Sequence, residues 1–249
     1  MDLWVTIGAF FVGVIASVYG AAVGGGALLT VPALVWMGVP VVEAVATSKL
    51  GSMGVSTSGL IAFSRAKMID WRLGLSMAVL QLVGTAIGTY ALLALPVGWV
   101  KRAVAFMILL ILILLLAFPA AGLEPIDIPR NSLRYRMGFV CTFFLGVLTG
   151  FYQGGGGTLA AYIMILFFGQ TFLQSAGTRK VPFFATTLLS LLILFPTGKV
   201  HLAAGIALLV GSMIGGTIGS HLAMKQGNRW VRTLFIIVVA LSCLRMLLF

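Results

Sequence analysis

"GAAVGGGALLTVP", Gly20 to Pro32, sets three consecutive glycines and then a proline between two apolar stretches. A glycine costs a helix interior about 1 kcal/mol and a proline about 3. At membrane depth, irregular backbone is tolerated only where protein buries it or where it lines a wet cavity. The stretch reads as a built break between two helices, and the rest of the chain decides what the break is for.

Of the 249 residues, 61% are hydrophobic and 8% are charged, at a mean hydropathy of +1.15. No soluble core of this size hides so much apolar surface. The fold class is therefore an all-α polytopic membrane protein, with the lipid bilayer as its solvent. The first apolar run, Leu3 to Val18, has no basic leader and no small-residue cleavage site, so it is expected to stay as a helix. A net charge of +11 would suggest nucleic acid in a soluble protein. Here the basic residues fall in short connections between apolar runs, which makes them a topology signal and gives no reason to expect a nucleic-acid partner. Cys141 and Cys243 lie inside apolar runs with no second thiol or histidine at ligand spacing. They read as packing residues, with neither a disulfide nor a metal site indicated, and no cofactor is expected.

Against a span of about 20 residues, the apolar runs divide into ten segments: Leu3 to Ala22, Gly25 to Trp36, Ala44 to Phe63, Gly74 to Leu95, Lys101 to Phe118, Tyr135 to Phe151, Thr158 to Phe168, Ser175 to Phe195, Leu202 to Met224 and Trp230 to Leu248. The shorter ones are either spans or re-entrant elements. The longest loop, Pro119 to Arg136, divides the chain near its middle. A shift of 131 residues then aligns Gly24, Gly25 and Gly26 with Gly155, Gly156 and Gly157, Thr47 with Thr178, Lys49 with Lys180, Gly84 with Gly215, Gly88 with Gly219, and Trp99 with Trp230. Glycines, a lysine and a tryptophan held in one register point to a duplication: residues 1–118 as the first repeat, 119–134 as a central loop and 135–249 as the second repeat.

Five segments per copy would insert the second copy upside down, giving two inverted five-segment repeats with glycine-broken helices at the centre. The charges agree. If all ten segments cross, one side holds Arg65, Lys67, Arg72, Arg130, Arg134, Arg136, Lys225, Arg229 and Arg232, and the other only Lys101, Arg102 and Lys199. That split puts both termini outside the cell membrane.

Two constellations carry the chemistry. The glycine runs "AVGGGAL" and "YQGGGGTL" predict broken elements that meet near the midplane with bare backbone N–H groups at helix starts, which attract anions. The pair "ATSKLGS" and "GTRKVPF" brings Lys49 and Lys180 to what read as segment starts, where a cation opposes the helix dipole. A bound anion would supply the missing reason, and snorkelling to an interface is the competing reading. Gln153, just before the second run, can donate to an oxyanion without adding charge. Gly84, Gly88, Gly215 and Gly219, spaced four apart, read as helix-packing faces. Gln81, Tyr90, His201 and His221 read as polar contacts between helices, and Trp4, Trp71, Trp99 and Trp230 as an interfacial belt.

"GAAVGGGALLTVPALVWMGVP", followed by "AVATSKLGSMGVSTSG" and by their degenerate second-half copy, resembles the TauE/SafE family of sulfite exporters over essentially the whole chain. The resemblance implies a bacterial inner-membrane transporter of a small sulfur-containing anion: sulfite, sulfoacetate, thiosulfate or another organosulfonate. The second copy departs from the first at Ile163 in place of Pro32 and Arg179 in place of Ser48. The expected substrate site comprises Gly24, Gly25, Gly26, Thr47, Ser48, Lys49, Gln153, Gly154, Gly155, Gly156, Gly157, Thr178, Arg179 and Lys180.

The five acidic residues, Asp2, Glu43, Asp70, Glu124 and Asp127, fall near segment ends and give no buried carboxylate relay. An inside-negative potential drives each exported negative charge with roughly 2.3 kcal/mol per 100 mV, so alternating-access export is the expected mechanism. An anion channel or an uptake permease for a different anion is the alternative. No H-E-x-x-H, no G-x-S-x-G and no paired intramembrane aspartates are found, so an enzyme is not expected. Assembly into a homo-oligomer stays open.

Overall fold

The computed structural model describes residues 3–96, Trp99 and 124–248, and the expected segment Lys101 to Phe118 lies outside them. The described residues form helices and no strand. These are α1 (Leu3–Ala22), α2 (Ala27–Trp36), α3 (Val41–Arg65), α4 (Trp71–Ala94), α5 (Leu133–Phe151), α6 (Gly156–Phe168), α7 (Phe172–Thr178), α8 (Lys180–Leu194) and α9 (Leu202–Leu248). Every other expected segment therefore finds its helix, but three helices start three residues early, at Val41, Trp71 and Phe172, and two of these starts bear on the expected site.

Pro40 precedes α3 and Glu43 sits in its first turn, so that helix begins before Ala44. Thr171 and Gln174 form a reciprocal capping box that starts α7 before Ser175. Arg179 keeps helical dihedrals between α7 and α8, so the two make one rod, Phe172–Thr197. Lys49 and Lys180 thus lie two turns inside their helices and not at helix starts, which corrects the premise from which an anion between them was argued. Gly227, at φ +77°, interrupts α9, so 202–226 and 228–248 are separate rods as the segment reading expects.

Four described helices are long and apolar enough to cross a bilayer: Leu3–Ala22, Trp71–Ala94, Phe172–Thr197 and Leu202–Val231. Helices α2 and α6 are shorter apolar rods. At 1.5 Å per residue, the 10-residue α2 reaches only about half of a 30 Å hydrocarbon layer.

Large apolar side chains point outward in rows, such as Leu75, Val79, Val83 and Ile87 on α4 and Leu202, Ile206 and Val210 on α9. Such stripes suit lipid and would drive aggregation in water. Trp4, Trp71 and Trp99 are exposed as a belt requires. Trp230 departs from the belt, because it packs partly buried against the core around Ala223 and Val231.

The two halves exchange partners. Helix α1 packs along 202–226, and α4 packs along α5; α3 lies against the first pair, α8 against the second, and α3 and α8 touch each other at the centre. Glycine makes both outer contacts close. A Cβ on Gly84 or Gly88 would strike the carbonyls of Phe143 or Val147, and one on Gly215 or Gly219 those of Val14 or Val18. These are the packing faces expected from their spacing, and they let backbones approach as small residues do between membrane helices.

Matching hydrogen bonds cross between the halves. Thr47 Oγ1 accepts from the backbone N–H of His201 at 3.0 Å, ahead of α9, and Thr178 Oγ1 accepts from that of Asp70 at 3.1 Å, ahead of α4. The His201 ring also pairs with the Glu43 carboxylate, tying the start of α9 to the start of α3.

The substitution Gly88→Ala should cost about 1–3 kcal/mol through overpacking and lower the melting temperature in detergent by several degrees. Val79→Ala on the lipid face should leave it within about 0.5 kcal/mol of the parent.

Candidate functional site

The broken elements meet. Gly24 and Gly25 take φ of +88° and +84°, and Gly155 takes +76°, left-handed values that glycine adopts without cost. A Cβ on Gly24 would stand 2.5 Å from Gly157 Cα, so the two glycine runs touch backbone to backbone. Tyr19 and Tyr152 pin the first run by donating to the carbonyls of Gly25 at 2.9 Å and Ala27 at 3.2 Å.

Ala21 and Ala22 at the end of α1, and Thr149 and Gly150 at the end of α5, are buried, so ending the helices there strands their last carbonyls away from water. The buried cations satisfy them across the halves. Lys49 Nζ donates to Thr149 O at 2.5 Å and Gly150 O at 3.1 Å, at the end of α5. Arg179 donates to Ala22 O at 2.6 Å and Ala21 O at 3.4 Å, at the end of α1, and to Gly157 O at 3.1 Å. Each cation sits where the helix dipole is negative. Both therefore have a structural reason that needs no ligand.

Lys180 is different. It is 3% exposed, its stem crosses Gly59 on α3, and nothing among the described residues accepts from its Nζ. It lines a cavity of about 40 Å³ between the halves, together with Gly24, Gly25, Gly26, Gln153, Gly157 and Arg179. The backbone N–H groups of Gly25, Gly26 and Ala27, at the start of α2, also have no acceptor among the described residues. Gln153 Nε2 meets Thr187 Oγ1 at 2.9 Å, leaving buried Oε1 unpartnered. Turning the amide over keeps the Thr187 bond, with the hydroxyl now donating, and aims the NH₂ group inward. With the amide so turned, each of these groups is a donor, and no carboxylate lines the cavity.

The remaining predicted residues fall outside it. Thr47, Thr178 and Lys49 make the contacts described above, and Ser48 Oγ bonds its own helix at Val45 O, 2.8 Å away. Gly154 lies against the Tyr152 ring, Gly155 provides the left-handed turn, and Gly156 fits beside Thr149. Sequence reasoning missed the hydroxyl wall, formed by Ser17, Thr30, Ser52, Ser56 and Ser212. A signal was present in Ser52 and Ser56, which stand i, i+4 on α3 and mark one helix face as polar.

Comparison with known proteins agrees with the geometry. Residues 9–246 match the family model "Sulfite exporter TauE/SafE". The chain belongs to that family. It is 29% identical over 230 residues to a probable membrane transporter protein of Haemophilus influenzae, covering 92% of this chain and 89% of the relative. It is 27% identical over 241 residues to the probable membrane transporter protein YfcA of Escherichia coli (96% and 88% covered), and 26% identical over 259 residues to YjnA of Bacillus subtilis (99% and 100%). No solved structure matches. The protein is a membrane transporter of the TauE/SafE family.

Replacing Lys49 with Met should destabilise the ligand-free fold, because Thr149 O is orphaned while Gly150 O keeps the Thr89 hydroxyl at 3.3 Å. Arg179→Met should cost at least as much, at about 1–3 kcal/mol for each carbonyl left bare. Lys180→Met should match or exceed the parent's stability, since it removes a buried polar group that makes no hydrogen bond to the described residues. Thermal unfolding without added anion separates the three.

Proposed function

We propose that this transporter exports a small sulfur-containing oxyanion by alternating access, and that the anion binds in the cavity at Lys180. The carrying observation is the composition of that cavity: a buried lysine amine with no hydrogen bond to the described residues, free N–H groups at the start of α2, a turnable Gln153 amide and several hydroxyls. An isolated buried cation is costly, and an oxyanion is the partner whose many lone pairs such donors fit. A volume of about 40 Å³ holds roughly three water-sized groups. This favours a compact ion such as sulfite over the larger thiosulfate, sulfoacetate or another organosulfonate.

The reading uses two inverted five-segment repeats, 1–118 and 135–249 around the loop 119–134, rocking about the contact of their glycine runs. The reciprocal bonds Thr47–His201 and Thr178–Asp70 support it, because both pairs obey the same 131-residue shift. With both termini outside the bacterial inner membrane, the potential drives the anion outward. Within the wider predicted site, Gly24, Gly25, Gly26, Gln153, Gly157 and Lys180 face the ligand. Arg179 borders the cavity while holding α1, and Thr47, Ser48, Lys49, Gly154, Gly155, Gly156 and Thr178 shape the walls.

Sulfite at 100 times its Kd should stabilise the purified protein by about 2.7 kcal/mol. The shift should vanish in Lys180→Met and persist in Lys49→Gln if that variant folds. Chloride stabilising as well as sulfite, or Lys180→Met responding like the parent, overturns the assignment. In proteoliposomes, sulfite flux should saturate and rise with a potential that is negative on the loading side. Flux that does not saturate would mean a channel, and flux indifferent to potential removes the proposed driving force.

A further inference from the structure

A second polar cavity lies on the far side of the Thr178–Lys180 stretch. It encloses about 600 Å³ and is lined by Lys67, Asp70, Gln170, Gln174, Thr178 and Asn228, among others. It shares no lining residue with the cavity at Lys180. Its position beside the basic connections at Arg65–Lys67 and Arg229 puts it on the face that the charge split assigns to the cytoplasm.

Gln170 is the informative residue. It is 8% exposed, and its Oε1 is buried without a partner, while Nε2 stands 3.2 Å from Thr178 Oγ1. Thr178 Oγ1 already accepts from the Asp70 N–H. As drawn, two donors converge on one hydroxyl whose own proton has no acceptor. Turning the amide over resolves this, because Thr178 then accepts from Asp70 and donates to Gln170 Oε1. The amide NH₂ is left without a partner in the buried wall of the cavity.

A buried donor without an acceptor is as unfavourable as any orphaned polar group, and the surroundings favour an anion in front of it. Lys67 stands exposed at the rim, and an adjoining hollow of about 200 Å³ carries Arg72 and Arg130. The Asp70 carboxylate also faces this region, but it is engaged as the cap of α4, accepting from Leu73 N at 3.0 Å. Gln153 and Thr187 repeat the same pairing in the deeper cavity. The two glutamine–threonine pairs thus flank Arg179 and Lys180.

We propose that the Gln170 cavity is a second, outlying binding station for the transported oxyanion, occupied before the ion passes Thr178 to reach Lys180. The station rests on the anion-transport reading above for the identity of its ligand. It does not rest on the site at Lys180, with which it shares no side chain. Gln170→Glu keeps the size of the side chain and an acceptor for the Thr178 hydroxyl, but presents negative charge to the incoming anion.

Equilibrium binding of radiolabelled sulfite to the purified protein tests the station directly. The parent should bind two ions per chain. Gln170→Glu should bind one while keeping a cooperative thermal transition without sulfite, and Lys180→Met should bind the other one. Lys67→Gln, a surface change that leaves folding intact, should weaken only the event lost in Gln170→Glu, by about two- to threefold at low salt. In proteoliposomes, Gln170→Glu should lower kcat/KM for sulfite at least tenfold. A parent that binds one ion, lost in Lys180→Met and kept in Gln170→Glu, overturns the station and leaves the deep site standing. Loss in Gln170→Glu with no effect of Lys180→Met upholds the station and overturns the deep site. A parent that binds no sulfite overturns both.

Discussion

Two helices that end inside the packed protein create a problem of carbonyls, and the fold is organised around its solution. At the ends of α1 and α5 the last peptide oxygens have no following turn to bond, and the packed interior around them offers no water. Lys49 and Arg179 bring charged donors to them from the opposite half of the chain, over separations of about 100 and 157 residues. Neither helix end can be built by its own half. Tertiary assembly is thereby coupled to the local geometry of the breaks, and removing either cation disturbs both.

Close approach makes those bonds reachable. The glycine faces of α4 against α5, and of α1 against 202–226, bring backbones near enough that a single Cβ would collide with a carbonyl. The central pair α3 and α8 is held between these contacts. Its polar residues turn inward, which is why α3, although 25 residues long, is not among the helices apolar enough to cross by composition. An interior helix surrounded by protein can carry serines, threonines and a lysine that a lipid-facing helix cannot.

Much of this was legible because glycine and proline announce backbone geometry locally. The runs at Gly24–Gly26 and Gly154–Gly157 gave away the breaks, and the 131-residue register gave away their pairing. The partners of the cations were not legible. Whether a buried lysine meets a carbonyl or an open cavity depends on which helix end arrives from the other half, and nothing near Lys49 in sequence encodes that. The helix starts were misplaced for a related reason. Pro40 and the Thr171–Gln174 capping box extend α3 and α7 outward through residues that look too polar for a span, and the two lysines consequently sit inside helices.

The departure between the two copies has a physical reading. In register, Ser48 and Lys49 correspond to Arg179 and Lys180. The first half has one cation at this point, and it is spent on the end of α5. The second half has two in succession, and the arginine, one residue earlier, takes the equivalent duty at the end of α1. Adjacent residues on a helix point about 100° apart, so a side chain following a capping cation must face elsewhere, and Lys180 turns toward the cavity. Arginine suits the capping role because its several donors reach three carbonyls from one side chain. The two halves of the chain thus divide the labour: Lys49 closes a helix end from the first half, Arg179 does so from the second, and Lys180, in register with Lys49, is left to face the cavity.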